Sequence, residues 1–487
     1  MATDTRRIDS IVGEVLARLE AEGLVGGETA SANAPVQPSR PAASTTGHAV
    51  FETTEEAVAA ARRAFLDLAE TTLEDREKWI AAIRHTTETH AAELSELAVR
   101  ETGLGRVEDK VIKNLLVARK TPGIEDLAPW ARTGDHGLTL EERAPYGVVL
   151  SVTPSTNPSE TVINNGIGML AGGNAAVFAP HPGAKETSLR TVRLLEEAVR
   201  NEGGPPNVFT TLAEPSIEGT QALMRDETVR LIVVTGGAGV VKEAMSVGKR
   251  AITAGPGNPP VVVDTTADLD LAAWGIVRGA SLDNNIICTD EKEVIVVDRV
   301  ARDLMDRLSA EGAYELTGTE LDAVRRVVLA EDRGDGCASV PNRELIGRDA
   351  GVILDAAGVD GPTDTRLLVA EVDAGHPFLW SELMMPVLGI TRARDVDTAI
   401  DFAREVEGGN RHSASIYSRN IEKLSRMARV IDCSIFVKNG PHYKGLGEGG
   451  EGYTSFTIAS PTGEGMTTAR DFTRFRRCTL VDSFRIV

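Results

Sequence analysis

The chain has 487 residues, 42% of them hydrophobic, and carries 72 acidic against 52 basic residues for a formal net charge of −20. That size allows two or three domains with real cores, while so acidic a surface repels phosphate backbones and argues against nucleic-acid binding. Four cysteines (Cys288, Cys337, Cys433 and Cys478) without paired spacing point to a reducing compartment and no structural zinc, and the absence of a membrane-length apolar run or signal-peptide core points to a cytoplasmic protein.

Residues 1–25 form a first unit. Ile8, Ile11, Val12, Val15, Leu16 and Leu19 fall on one helical face, with charged residues around the rest and Gly23 as a C-cap. Residues 26–50, rich in Gly, Ala, Ser, Thr and Pro, read as a disordered linker. A short amphipathic helix on a tether needs a partner for its apolar face, either another protein or its own globular body. From Phe51 onward, segments 53–68, 73–85 and 91–102 read as amphipathic helices. After Pro145 strands (147–152, 175–179, 208–212, 231–235) alternate with helices (158–170, 185–201), the pattern of a parallel sheet covered on both faces. A second α/β region runs from Pro260 to about Val437, and the tail from Phe472 ends in a strand-like segment, 478–487, suited to completing a sheet, in this or another subunit.

Three segments carry chemistry. Ser151-Val-Thr-Pro-Ser-Thr-Asn-Pro158 joins a strand to a helix; Asn157, held extended before proline, is a donor for a developing oxyanion or, alternatively, an Asx-turn or helix cap. Leu231-Ile-Val-Val-Thr-Gly-Gly-Ala-Gly-Val240 is a strand, glycine turn and helix start that aims N–H groups at an anion, although a tight turn without a ligand has the same pattern. Cys288 follows the polar turn Asp283-Asn-Asn285 and precedes a strand, 294–297, which suits a cleft-facing nucleophile; a small buried hydrophobe is the bland alternative. Gly445-Leu-Gly-Glu-Gly-Gly450 spells GxGxxG, yet no strand leads into it and no periodic helix follows, so it reads as a mobile loop near a ligand.

Together, Thr153-Pro-Ser-Thr-Asn-Pro-Ser-Glu-Thr-Val-Ile-Asn-Asn165, Phe178-Ala-Pro-His-Pro182, Val233-Val-Thr-Gly-Gly237, Gly255-Pro-Gly-Asn-Pro-Pro-Val-Val-Val263, Asp283-Asn-Asn-Ile-Ile-Cys288 and the stretch from Gly447 to Ser460 resemble the aldehyde dehydrogenase superfamily, specifically its coenzyme A-acylating propionaldehyde and acetaldehyde dehydrogenases of bacterial microcompartments. The resemblance implies an α/β fold: a Rossmann-type NAD-binding domain (51–255, with 132–145 in a small β oligomerisation arm), an α/β catalytic domain (256–440), and a return to the cofactor domain ending in a C-terminal oligomerisation strand (441–487). It implies Cys288 as nucleophile, with Asn157 and the Cys288 N–H as oxyanion hole. Thr153, Pro154, Ala179, His181, Pro182, Thr235, Gly236, Gly237 and Gly255 are then expected to line the cofactor site, with Glu382 on the nicotinamide ribose. His376 is a candidate for proton transfer at the coenzyme thiol, or a structural histidine; Cys337, Cys433 and Cys478 read as packing residues.

Hydrolytic relatives carry a Glu-Leu-Gly-Gly segment whose glutamate activates water; the comparable Thr253-Ala-Gly-Pro-Gly257 has no carboxylate. Water without a base attacks a thioester slowly, whereas a thiolate does so readily. The expected reaction therefore converts a small aldehyde, NAD⁺ and coenzyme A into acyl-CoA through a thiohemiacetal and an acyl-cysteine thioester. The choice between NAD and NADP stays open, as does the aldehyde. The rivals are a hydrolytic NAD(P)-dependent aldehyde dehydrogenase releasing a free acid, and a non-catalytic scaffold. The resemblance also makes the N-terminal helix an encapsulation peptide for shell proteins or cargo enzymes inside a microcompartment, and the protein a homo-oligomer, dimer or tetramer.

Overall fold

Two all-parallel sheets dominate the computed structural model, which describes residues 49–362 and 364–487. The helix expected within 1–25 and the linker up to residue 48 lie outside the described residues. The first sheet has the order Val50–Phe51, Phe209–Leu212, Ala175–Pro180, Val148–Thr153, Val229–Thr235, Arg250–Ala254. Its two central strands, Val148–Thr153 and Ala175–Pro180, are buried at every position, the burial that helices on both faces impose on a parallel sheet. The second sheet runs Ala313–Glu315, Leu367–Glu371, Val387–Ala393, Glu293–Val297, Pro260–Val263, Ser413–Tyr417, Ile435–Lys438. Five residues, Gly255 to Pro259, carry the chain from one sheet to the other. After the second sheet the chain returns, and Leu446, Phe456, Ile458, Ala469 and Phe472 pack into the core of the first.

Two helices differ from expectation. The stretches 73–85 and 91–102 are one 30-residue helix, Leu73–Thr102, opened by a Thr72/Asp75 capping box and closed by left-handed Gly103. The polar Thr86-Thr-Glu-Thr-His90 segment has low helix propensity but contains no glycine or proline, and burial of Thr87 within it and of Ala91 just after it carries the helix through. The helix Val107–Lys120 has no counterpart in the periodicity reading, because it turns Asp109, Lys110, Lys113 and Asn114 inward while Ile112 is 41% exposed. Its amphipathicity is inverted at those positions, so a search for an apolar stripe passes over it.

Trp130–Gly134, Gly137–Pro145 and Thr473–Val481 make a third, antiparallel sheet. The C-terminal strand therefore begins and ends earlier than 478–487 and pairs with its own chain. Phe475, Leu480 and Val481 remain exposed on it. No helix among the described residues is long and apolar enough to cross a membrane.

Candidate active site

The helix Leu269–Ala280 runs out into Asp283, Asn284 and Asn285, which stand at φ of 47°, 55° and 66°. Three successive left-handed non-glycine residues cost on the order of 1 kcal/mol each, although Asn and Asp tolerate the region best. The strain is offset by buried hydrogen bonds on every member. Asp283 accepts from the Arg106 N–H at 2.7 Å and donates its own N–H to Asp109 Oδ2 at 2.9 Å. Asn284 donates to the Gly347 carbonyl at 2.9 Å, and Asn285 to the Ala280 and Glu291 carbonyls at 2.8 and 2.9 Å. Gly105, itself left-handed, is where a Cβ would overlap the Asp283 carboxyl. Cys288 follows three residues after Asn285, half-buried, inside a turn closed by Asp290 N–H on the Ile287 carbonyl at 3.0 Å. Lys292 Nζ ties the turn to its base, donating to Asn285 O, Asn285 Oδ1 and Ile287 O.

Burial pushes the Cys288 thiol up to about 12, Glu382 adding to the shift and Lys292 opposing it. Burial likewise lifts Glu382 to about 7, with Lys292 pulling the other way; its Oε1 accepts from the Gly257 N–H at 3.3 Å. The free thiol is thus expected to alkylate ever faster with rising pH through 10, without a plateau near 8.5. Because a Glu382 carboxylate disfavours a neighbouring thiolate, Glu382→Gln is expected to alkylate faster than wild type above pH 7 and at the same rate below about pH 6, where Glu382 is already neutral. Iodoacetamide labelling of Cys288 across pH 5–10 checks both; a slower variant above pH 7 would show the carboxylate acting otherwise.

Asn157 opens the helix Pro158–Ala171, but at φ −134°, ψ 62° its backbone is not fully extended, and its side chain makes no cap hydrogen bond. Instead Asn157 Oδ1 accepts from Lys113 Nζ at 2.5 Å, while Nδ2 donates to Thr156 Oγ1 at 3.2 Å. Lys113 also meets Asp283, and Glu160 at 3.2 Å; Lys110 meets Asp283 at 3.0 Å and the Thr156 carbonyl at 2.9 Å. All four charged residues are buried. Burial opposes the Lys113 ammonium, but Asp283 and Glu160 outweigh it and hold its pKa above the usual range; the two lysines likewise hold Asp283 below its own. Breaking one partner out of such a buried set costs about 3–5 kcal/mol. Lys110, Lys113, Asp283 and Glu160 are what sequence reasoning missed here, and an Asp-Lys-x-x-Lys run on a helix gives no local sign of a buried partner.

The cofactor candidates gather at the C-terminal edge of the first sheet, where open α/β sheets bind ligands. Thr153, Ala179, Thr235 and Gly255 end or follow four of its strands, Pro154 continues the first, and His181 and Pro182 continue the second. The Thr153 hydroxyl, on a residue 2% exposed, has no partner there. Gly237 is the N-cap of the helix Ala238–Ser246, without a side-chain cap, and a Cβ at Gly237 or Gly239 would meet nothing within 4 Å. An unpartnered hydroxyl beside an uncapped, unobstructed helix N-terminus fits a dinucleotide. His181 Nδ1 accepts from the Gly183 N–H at 3.0 Å, capping the next turn.

His376 is not brought to Cys288. It caps Pro377–Trp380, its Nδ1 accepting from the Phe378 N–H at 3.3 Å, and its ring stands edge-on to Phe378. It lines a cavity of about 420 Å³ with Arg325, Asp335 and Glu371, and burial, then Arg325, lowers its pKa to about 4. Six residues of separation from Glu382 suggested proximity, but the helical turn Pro377–Trp380 intervenes, and the cavity that His376 lines includes neither Glu382 nor Cys288. One histidine that does reach the site is His412, missed in the sequence because Arg-His-Ser carries no motif; His442 also reaches it, its Nδ1 pairing with the Thr289 carbonyl at 2.8 Å. A Cβ at Gly257 would stand 2.8 Å from the His412 ring and 3.1 Å from the Cys288 carbonyl, so the three pack together. Burial keeps His412 neutral, at about 3; Nδ1 pairs with Ser413 Oγ at 2.8 Å and Nε2 has no partner.

Cys337 and Cys478 are exposed and so are not packing residues: one lies on a surface loop, the other on the solvent side of the third sheet. Cys433 is half-buried and donates to the Ile435 carbonyl at 3.0 Å. The glycine-rich loop is pinned by Lys120 Nζ, which donates to the Gly447 and Gly450 carbonyls at 2.6 and 2.8 Å.

The sequence model of the aldehyde dehydrogenase family matches residues 29–456. The chain is 53% identical over 452 residues to an acetylating acetaldehyde dehydrogenase of Salmonella typhimurium, covering 92% of this chain and 96% of that protein. It is 44% identical to a CoA-propanoylating propanal dehydrogenase of the same organism, over 94% of this chain and 96% of that one. Among solved structures, a propionaldehyde dehydrogenase of Rhodopseudomonas palustris with bound CoA and an acylated cysteine superposes with a TM-score of 0.87 at 45% identity, over 90% of this chain and 99% of that one. A propionaldehyde dehydrogenase from the fucose-utilisation microcompartment of Clostridium phytofermentans superposes at 0.88 with 44% identity, over 91% and 100%.

Proposed function

Because the chain belongs to the aldehyde dehydrogenase family, we propose that it oxidises a small aldehyde to its acyl-CoA, with Cys288 as the carrier of the acyl group. The observation that carries this reading is the locked turn presenting Cys288 beside Gly257, in a stretch (253–257) without a carboxylate to activate water.

Once its Sγ–H proton has passed to solvent, the Cys288 thiolate attacks the carbonyl carbon, and the carbonyl electron pair moves to oxygen, which takes hydrogen bonds from Asn157 Nδ2 and the Cys288 N–H. Thr153, Thr235, Gly236, Gly237 and Glu382 would hold the nicotinamide dinucleotide, which would supply the two-electron oxidant that accepts the hydride from the former carbonyl carbon. Cys288 is then an acyl thioester. His412, packed with Gly257 against the Cys288 carbonyl and with Nε2 unpartnered, is the group placed to take the proton of the coenzyme A thiol. The thiolate sulfur bonds to the acyl carbon and the Cys288 sulfur leaves, so one thioester replaces another at little cost in free energy. The cofactor of this reading is NAD, the choice that the acylating resemblance favours. Acyl-CoA formed one-to-one with NADH from acetaldehyde or propionaldehyde is the test; free acid as product would overturn the reading.

The N-terminal segment and the setting belong to the same reading: a cytoplasmic enzyme carried in a microcompartment, attached to shell proteins or cargo enzymes by the apolar face of 8–19. Confinement suits an aldehyde that would otherwise leak. The third sheet, with Trp130, Phe475, Leu480 and Val481 exposed, serves as the oligomerisation arm. Deleting 1–25 is expected to leave kcat and KM unchanged while abolishing co-sedimentation with assembled shells. Retained co-sedimentation would overturn that role for 1–25.

A further inference from the structure

We infer that Lys113 is the positioning residue of the oxyanion hole: its ammonium holds the Oδ1 end of Asn157 and thereby fixes the Nδ2 end as the one presented to the substrate oxygen. The inference rests on the acylating reading of the Cys288 site and adds to it a residue 44 positions from Asn157 in sequence.

An asparagine amide has nearly the same shape in its two flipped orientations, but they offer opposite hydrogen-bonding character. Stabilising an oxyanion requires the NH₂ end. Lys113 is a donor only, with Nζ 2.5 Å from Asn157 Oδ1. A flipped amide would set donor against donor in a buried place and leave both unsatisfied. A cation on Oδ1 also withdraws electron density from the Nδ2–H bonds, which strengthens them as donors.

Lys113 is itself held on two sides, by Glu160 at 3.2 Å and by Asp283. Asp283 is the first residue of the left-handed turn that leads to Cys288. The nucleophile's turn and the oxyanion donor are therefore both referenced to one ammonium group, although they come from different domains of the chain. Neutralising Asp283 does not by itself require Lys113, since Lys110 already pairs with it at 3.0 Å. Of the two lysines, Lys113 is the one bonded to the Asn157 side chain, while Lys110 bonds the neighbouring Thr156 carbonyl.

The test uses the full-length protein with propionaldehyde, NAD⁺ and coenzyme A, comparing wild type, Lys113→Met, Asn157→Ala and the double variant. Two rates are read: single-turnover NADH formation, and alkylation of Cys288 by iodoacetamide, which needs no oxyanion hole. Asn157→Ala is expected to slow NADH formation on the order of 100- to 1,000-fold and Lys113→Met on the order of 10- to 100-fold. The double variant is expected to be no slower than Asn157→Ala alone, because a residue that acts through Asn157 has nothing left to act on. Alkylation should stay within about twofold of wild type throughout, since a positioning role leaves the thiol untouched. Effects that multiply in the double variant would overturn the inference, as would a Lys113→Met rate within about threefold of wild type. Parallel loss of alkylation and turnover would mark Lys113 as a purely structural residue and also overturn it. If Lys113→Met does not fold, Lys113→Gln, which keeps a neutral donor, is expected to lose roughly tenfold with alkylation intact, and an unchanged rate would sink the idea. Wild-type protein that turns over no aldehyde would sink the acylating reading, and with it the inference; every other adverse outcome leaves that reading standing.

Discussion

Cys288→Ala is expected to abolish aldehyde-dependent NADH formation, by on the order of 10⁵-fold or more, while the protein remains folded and still binds its dinucleotide. The size of the loss follows from covalent catalysis: without the sulfur there is no thiohemiacetal, and a residual oxyanion hole has no tetrahedral oxygen to stabilise. No other cysteine is placed to substitute. Cys433 is engaged with the Ile435 carbonyl, and Cys337 and Cys478 are exposed on loop and arm. Stability is expected to change little, because Cys288 is only half-buried and truncation to alanine removes one sulfur, worth about 1 kcal/mol at most. The turn that carries it owes its geometry to Asp283, Asn284, Asn285 and Lys292, none of which bonds the thiol. Steady-state NADH formation beside a thermal-shift titration with NAD⁺ checks both halves. A variant within tenfold of wild type would remove Cys288 from the mechanism.

The second large effect is expected from coenzyme A itself. Without it, the enzyme should form about one NADH per active subunit in a burst and then nearly stop, with steady turnover roughly 10³-fold below that with coenzyme A, the range that a missing general base accounts for. The stretch that approaches Cys288 from the other sheet is Gly255-Pro-Gly257, and glycine at 257 leaves room for the His412 ring but supplies no carboxylate. Glu382 is the carboxylate on this side, engaged by the Gly257 N–H and titrating at about 7. Any slow hydrolysis through it would rise through pH 7, as the base form appears, and be lost in Glu382→Gln. Rapid-quench measurement of acyl-enzyme and product, with and without coenzyme A, separates the cases. Sustained turnover to the free acid at a rate comparable to that with coenzyme A would make this a hydrolytic dehydrogenase.

The inhibitory environment of the resting thiol fits an enzyme that must not react before its partners assemble. A desolvated sulfur on half-buried Cys288 beside Glu382 is a poor thiolate, while Lys292, anchored on three oxygens of the same turn, is the fixed positive charge that favours it.

By itself the sequence determined the features set by neighbouring residues. Alternation of short apolar strands with amphipathic helices specified the parallel sheets, because strand and helix periods are local properties. The glycine turn after Val229–Thr235, the Asp283-Asn-Asn285 turn before Cys288 and the missing carboxylate in 253–257 were equally legible, each being a matter of residue type over a few positions. The tertiary structure alone decided the rest, and the reason is burial of charge and distance along the chain. Leu73–Thr102 is continuous because Thr87, within its polar middle, and Ala91, just after it, are buried by packing that no local pattern shows. Val107–Lys120 was invisible to periodicity because its buried face is ionic, satisfied by Asp283 170 residues on from Lys113 and by Glu160 from a third element. His412 rather than His376 meets the nucleophile's turn because the second sheet places the start of Ser413–Tyr417 beside Pro260–Val263, whereas His376 is spent capping a helix above a separate cavity. A local pattern reports which way a side chain faces; only the packed fold supplies the opposite charge that makes an inward-facing lysine affordable, and so decides which residues share the site.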